Sequence, residues 1–180
     1  DLVNASDTPR VAAARRGFLR GRVHRSEAAP RPPWALAEAA FIERCTRCDH
    51  CIDACPSAII VRMDGGFPGI DFTRGECSLC GDCVARCEAG ALVRRAAGDR
   101  PWDLVAAIGA ACLATRGVEC RVCGESCPTG AIRFRPQPGG VARPQLDALE
   151  CTGCGACVGP CPARAISMLS ESRLPTEKET

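Results

Sequence analysis

Sixteen cysteines in four groups are the residues of this 180-residue chain best suited to chemistry. Three groups have the spacing Cys-x2-Cys-x2-Cys-x3-Cys, and the other keeps the spacing of its last three cysteines but has seven residues after its first. The groups are Cys45, Cys48, Cys51 and Cys55; Cys77, Cys80, Cys83 and Cys87; Cys112, Cys120, Cys123 and Cys127; and Cys151, Cys154, Cys157 and Cys161. Thiolates at this spacing hold cubane [4Fe–4S] clusters in bacterial proteins, and such clusters pass single electrons. The spacing therefore predicts cubane clusters.

The fourth cysteine of each group indicates how the clusters are shared. In bacterial proteins with two clusters, the fourth cysteine of each run ligates the cluster of the other run. We therefore predict four ligand sets: Cys45, Cys48, Cys51 and Cys87; Cys77, Cys80, Cys83 and Cys55; Cys151, Cys154, Cys157 and Cys127; and Cys112, Cys120, Cys123 and Cys161. The long first loop after Cys112 leaves three clusters as the alternative, with Cys112 a buried helix thiol. Four clusters are favoured, because Cys161 otherwise has no cluster to reach.

Two other uses of cysteine fit the pattern less well. A disulfide framework does not need triplets of closely spaced thiols, and it does not explain four repeats of one metal-ligand spacing. Structural zinc uses paired Cys-x2-Cys units, often with histidine, whereas each run here has a third close cysteine and a fourth beyond it. The two histidines are His24 and His50, and His50 is expected at the surface, without a metal.

The composition predicts a small protein stabilised by its clusters. Aromatic residues make up 4% of the chain and tyrosine is absent, so the apolar core is thin and metal binding must supply much of the folding energy. The formal charge of +2 becomes about −6 with four bound clusters and their thiolates, or about −4 with three. A metallated body of this charge disfavours nucleic-acid binding. Many reduced thiols indicate the cytoplasm, and no apolar stretch is long enough for a membrane span.

The chain is organised by a repeat of about 35 residues after a basic arm. Residues 1–33 hold seven arginines and three acids, which predicts an irregular arm that is disordered or binds a partner. Arg15-Arg16-Gly17-Phe18-Leu19 is similar to a twin-arginine export signal, but the polar residues that follow disfavour export. A short apolar segment follows each cysteine run, and a short helix is expected to begin at each fourth cysteine. The apolar run from Leu104 to Ala114 predicts a short buried helix.

These elements predict an α+β fold of two tandem bacterial-ferredoxin-like modules, each of βαββαβ order. Gly-Gly turns at residues 65–66 and 139–140 are expected to lead into strands near residues 69–72 and 141–146. The predicted modules are residues 34–98 and 99–169, and residues 170–180 are expected to form a disordered tail.

Several segments resemble the NapF family, the ferredoxin-type accessory proteins of periplasmic nitrate reductase systems. They are Arg15-Arg16-Gly17, Arg31-Pro32-Pro33-Trp34, Cys45-Thr46-Arg47-Cys48-Asp49, Trp102-Asp103-Leu104, Ile108-Gly109, Ala111-Cys112-Leu113-Ala114, Val118-Glu119-Cys120-Arg121 and Phe134-Arg135-Pro136. The resemblance implies a cytoplasmic protein that contacts the molybdenum-containing catalytic subunit before its export. It also implies a role in maturation, by supplying electrons or by helping to install that subunit's own cluster. Glu88 departs from the other runs, in which proline follows the fourth cysteine.

Three classes of function share these cysteines. The preferred hypothesis is a redox-active maturation factor. The alternatives are a general electron carrier with no assembly role, and a structural scaffold whose clusters act as cross-links. No nucleophile or acid–base pair is evident in the sequence, so a catalytic site of the chain's own is not expected.

Overall fold

The computed structural model describes residues 29–94, 96 and 99–170. Residues 1–28 of the arm predicted over residues 1–33, and residues 171–180 of the tail predicted over residues 170–180, lie outside this part of the chain. Ser170, the first residue of the predicted tail, instead ends a strand. The helices are α1 (Glu38–Arg44), α2 (His50–Asp53), α3 (Asp82–Ala85) and α4 (Val122–Glu125). The strands are β1 (Ile60–Arg62), β2 (Pro68–Ile70), β3 (Leu104–Ile108), β4 (Ile132–Gln137), β5 (Gly140–Leu146) and β6 (Ile166–Ser170).

The first half of the described chain is built around a short hairpin. Strands β1 and β2 pair antiparallel with Ile60 opposite Ile70, and a one-turn 3-10 helix over Asp64–Gly66 joins them. Helix α2 precedes this hairpin and α3 follows it. The segments before α1 and after α3 meet at an antiparallel bridge between Ala35 and Leu92.

The second half has longer strands in a similar arrangement. Strands β4 and β5 form an antiparallel hairpin with Ile132 opposite Leu146. The outer strands β3 and β6 pair along five residues, from Leu104 opposite Ser170 to Ile108 opposite Ile166. Helix α4 lies between β3 and β4, and residues 156–160 between β5 and β6 form turns.

The prediction of a buried helix from Leu104 to Ala114 is wrong. Residues 104–108 form strand β3, and turns occupy much of residues 110–117. A short apolar run has no periodicity that separates a buried strand from a buried helix. Pairing with β6 decides the outcome here, and Gly109, which donates its N–H to Ala165 O at 2.7 Å, ends the strand.

The short helices also lie elsewhere than expected. Each of α2, α3 and α4 contains the third cysteine of its run, namely Cys51, Cys83 and Cys123, and each ends before the fourth. The position is the same whether proline follows the fourth cysteine, as after Cys55 and Cys127, or glutamate does, as after Cys87. The prediction that the fourth cysteine begins the helix is therefore wrong.

The apolar core is continuous between the two halves. One buried group includes Phe41, Ile59 and Phe72, the other includes Cys123 and Ile132, and the half-buried Val158 and Met168 pack against both. Pro32, Pro33 and Trp34 are buried and extend the packed first half to before the predicted boundary at residue 34. No helix among residues 29–94 and 99–170 has the length and apolar character that crossing a bilayer requires.

Candidate iron–sulfur sites

The first cavity is lined by the cysteines that were predicted to form the first ligand set. Cys45, Cys48, Cys51 and Cys87 line one small space. Helix α1 ends just before Cys45 and α2 contains Cys51, so two helices and the turn at Cys87 bring these sulfurs together. Phe41, Ala91 and Leu92 form apolar walls.

The second cavity is lined by the cysteines of the second predicted set. Cys55, Cys77, Cys80 and Cys83 line one small space. Cys55 belongs to the first run of the sequence, and the other three belong to the second. Buried Ile59 and Ile60 at the start of β1 close the cavity beside Pro33 and Trp34.

Another cavity is lined by the cysteines of the fourth predicted set, which contains the long first loop after Cys112. Cys112, Cys120, Cys123 and Cys161 line one small space, with Phe134, Ile108 and Ile166 in its walls. The turns that follow β3 bring Cys112 to the same space as Cys120, although seven residues separate them in sequence. Cys112 lies in one of these turns and not in a helix.

The remaining four cysteines are also neighbours. The thiol of Cys157 interacts electrostatically with Cys154, Cys151 and Cys127. Cys127, Cys151 and Cys157 also belong to one packed group of the second half. The structure thus places Cys127 of one run with three cysteines of the other.

Backbone strain occurs inside the cysteine loops of the first half. Arg47, Asp49 and Leu79 have φ angles of 58°, 65° and 59°, a left-handed conformation that costs a residue with a Cβ atom about 1–2 kcal/mol. Leu79 N–H donates to Cys77 Sγ at 3.4 Å. Strained backbone of this kind persists where the surrounding structure requires it, commonly at binding sites.

Burial controls the protonation of the third cysteine in each run. Burial, together with a smaller contribution from neighbouring cysteines, raises the pKa of Cys51 and Cys123 to about 11 and of Cys83 and Cys157 to about 12. Cys127 is an exception: burial acts to raise its pKa, but hydrogen bonding to Thr129 and backbone amides lowers it overall. In the metal-free chain the four buried thiols are therefore protonated near neutral pH, and iron must displace their protons.

The cysteines line three similar spaces, and each of these spaces also has apolar side chains in its walls. Within residues 29–94 and 99–170, no three His, Cys, Asp or Glu side chains are arranged to hold one metal ion. His50 is exposed.

Sequence reasoning did not identify several residues that position these sites. Phe41 is fully buried beside the first cavity, and Phe72 meets Trp102 edge to face at 5.7 Å between the ring centroids. Arg31 lies over the rings of Phe41 and Phe67 at 4.9 and 5.3 Å. The scarcity of aromatic residues was the available signal, since a chain with few large side chains depends on each of them.

Comparison with known proteins places both halves in one class. A family model described as "4Fe-4S dicluster domain" matches residues 44–92, and another of the same description matches residues 117–165. The chain thus contains two tandem ferredoxin-type domains and binds multiple [4Fe–4S] clusters. No solved structure matches the chain.

Curated relatives extend the similarity to most of the chain. The ferredoxin-type protein NapF of Escherichia coli strain K12 is 45% identical over 158 residues, which cover 88% of this chain and 95% of that protein. NapF of Haemophilus influenzae is 46% identical over 77% of each chain. The methylamine utilization ferredoxin-type protein MauM of Methylobacillus flagellatus is 35% identical over 86% of this chain and 75% of that protein. The extent and level of identity show that this chain belongs to the NapF family of ferredoxin-type iron–sulfur proteins.

Proposed function

We propose that this chain is a redox-active accessory protein that assists cytoplasmic maturation of the molybdenum-containing catalytic subunit of periplasmic nitrate reductase before export. The observation that carries its redox part is the convergence of cysteines from different runs on shared apolar cavities. Membership of the NapF family carries the link to nitrate reductase. The more specific proposal, a role in maturation, rests on the family resemblance.

The ligand sets of the proposal are those predicted from the sequence. Cys45, Cys48, Cys51 and Cys87 hold the first cluster; Cys77, Cys80, Cys83 and Cys55 the second; Cys151, Cys154, Cys157 and Cys127 the third; and Cys112, Cys120, Cys123 and Cys161 the fourth. The three cavities and the neighbours of Cys157 support these sets. Each half would then be a βαββαβ module, residues 34–98 and 99–169, with the first outer strand pair reduced to one bridge.

The chain's own residues control what the bound clusters can do. A [4Fe–4S] cluster supplies reversible one-electron chemistry, and its potential depends on hydrogen bonds to sulfur, charge and exposure to water. Here the N–H of Ala165 donates to Cys161 Sγ at 3.3 Å. Phe41 and Phe134 exclude water from one side of the first and fourth sites.

A separate catalytic site is not part of the proposal. In the described residues, three groups other than cysteines have a shifted pKa. Hydrogen bonding between Arg31 and Glu38 raises the pKa of the arginine and lowers that of the carboxyl, while Thr73 lowers the pKa of Asp71. These contacts explain the shifts as local structure, so the chain would act as an electron carrier for a partner enzyme.

Co-purification tests the maturation role. The tagged chain, purified without oxygen from cytoplasm that contains the immature catalytic subunit, should retain that subunit. A matched Cys48→Ala variant separates a need for the first cluster from binding by the protein surface. Absence of the catalytic subunit from both samples would refute a stable maturation complex and favour the alternative below.

The second candidate is a general electron-transfer polyferredoxin without an assembly role. The similarity to a ferredoxin-type protein named for methylamine utilization favours this candidate, because proteins of similar sequence then serve more than one redox system. Reductive titration distinguishes both candidates from a structural scaffold: clusters that accept no electron over the accessible range of potential would leave only the scaffold. We also propose a cytoplasmic location, which the many reduced thiols favour.

A further inference from the structure

The second and third cysteine sites meet at the junction between the two halves. The backbone N–H of Cys77 donates to the carbonyl oxygen of Cys154 at 2.8 Å. With standard bond lengths, this hydrogen bond limits the separation of the two Cα atoms to about 7 Å. Cys77 belongs to the second proposed ligand set and Cys154 to the third, so a single hydrogen bond connects the ligand loops of two different modules.

Phe72 and Gly155 keep these loops in close contact. Phe72 follows β2 and is 7% exposed. Its ring lies against Gly155, where an added Cβ would come within 2.6 Å of Phe72 Cγ, too close for any real contact. Gly155 also has a φ angle of +79°. A side chain at residue 155 would therefore push the Phe72 ring and the Cys154 loop apart.

The segment between the halves is fixed to both of them. Trp34 N–H of the first half donates to Pro101 O at 2.6 Å. In the other direction, the Trp102 indole N–H donates to Thr152 O at 3.3 Å, and Arg100 donates to Cys151 O at 2.8 Å. The segment around residues 100–102 thus contacts both the first half and the fourth cysteine run.

We propose that an electron path continues from the first half into the second through this junction, from the site of Cys77 to the site of Cys154, and that Phe72 and Gly155 are the positioning residues that set its length. The inference rests on the proposed electron-transfer function and deepens it. One electron crosses: the second site is oxidised by one electron, the third is reduced by one, and no bond is formed or broken. A low-potential one-electron donor supplies the electron. The clusters would then form one series along the chain and not two independent pairs.

Gly155→Ala tests the inference in the full-length, cluster-loaded protein. Gly139→Ala is the matched control, because Gly139 has a similar φ of +67° but open space around it. Both proteins are reduced with dithionite without oxygen, and EPR spectroscopy measures the magnetic interaction between reduced clusters. We expect the part of the interaction that arises across the junction to be at least halved in Gly155→Ala and unchanged in Gly139→Ala. In Phe72→Ala/Gly155→Ala this part should be largely restored, because removal of the Phe72 ring leaves room for the methyl group introduced at residue 155.

Iron and sulfide contents decide how the result is read. Wild-type iron content with an unchanged interaction in Gly155→Ala overturns the junction path. If Gly155→Ala loses its clusters, Phe72→Ala alone decides: an altered interaction at wild-type iron content supports the path, and an unaltered one overturns it. A wild-type protein with full iron that dithionite cannot reduce would instead refute the proposed electron-transfer function.

Discussion

Paired cysteine substitutions test whether the fourth cysteines cross between sites. Cys48 and Cys87 line the same cavity, whereas Cys55 lines the other cavity of the first half. Cys48→Ala/Cys87→Ala should therefore damage one site. Cys48→Ala/Cys55→Ala should damage two, although Cys48 and Cys55 belong to one run of the sequence.

The expected difference is large because each cubane holds four irons. With about 16 irons in the intact chain, Cys48→Ala/Cys87→Ala should leave about 12 and Cys48→Ala/Cys55→Ala about 8. Residues that belong to one site should also be non-additive, so Cys48→Ala alone should lose as much iron as Cys48→Ala/Cys87→Ala. If each run kept its own fourth cysteine, the two double variants would exchange these values.

Anaerobic measurement of iron and acid-labile sulfide per chain provides the assay. The second half offers a matched pair: Cys154→Ala/Cys127→Ala should remove one site and Cys154→Ala/Cys161→Ala two. EPR spectra of the first-half variants should retain the signals of the second half. Equal iron loss from the two double variants of either half would refute the crossed ligand sets there.

Three further outcomes follow from packing and charge. Arg31→Ala removes contact with the Phe41 ring and the 2.6 Å ion pair with Glu38. The denaturant midpoint of cluster bleaching should therefore fall by an amount equivalent to about 1–2 kcal/mol of stability. Glu38→Gln should lower stability by less than about 1 kcal/mol, because the ion pair is solvent-accessible. Phe41→Ala should cost about 3–5 kcal/mol in the same assay, whereas Ile42→Ala, at a position 47% exposed, should cost under about 1 kcal/mol; equal effects would contradict the assigned core. Burial raises the pKa of Cys157 to about 12, so its thiolate fraction grows about tenfold per pH unit between about pH 7 and 9. Iron uptake by the metal-free chain, measured by visible absorbance, should therefore become faster over that range. An uptake rate that does not change with pH would contradict the burial of this thiol.

The cysteine groups could be predicted because their chemistry is local. Within a run, two or three residues separate the cysteines, and a few short turns bring them to one space whatever the rest of the chain does. The partner of each run was predicted from the exchange of fourth cysteines in other two-cluster proteins, and it stays a prediction. The structure brings together the cysteines of three of the four predicted sets in shared spaces, including the set that contains Cys112.

The secondary structure was less predictable because propensities in so small a fold are weak. Residues 104–108 became a strand through pairing with β6, which begins at Ile166, 58 residues after β3 ends. No local pattern records such a partner. The short helices begin five residues earlier than expected, because the geometry around each third cysteine, rather than the following proline, determines where they form.

The junction had no signal in the sequence at all. Phe72 and Gly155 are 83 residues apart, and either one alone is an ordinary residue near a cysteine. Their importance depends on contact: the glycine leaves the space that the ring fills, and the Phe72–Trp102 pair closes the gap between the halves.

The small apolar core and the cysteine sites are built from residues that pack against one another. Large fully buried side chains are few in the described residues, with Phe41, Ile59 and Val105 among them. Many of the residues that pack around them are cysteines. The apolar side chains therefore form the walls of the cysteine-lined spaces, and we expect these walls to pack fully when a cluster is bound. Burial raises the pKa of the inner thiols and keeps them neutral until iron takes the place of the proton. We therefore expect folding and cluster assembly to be coupled.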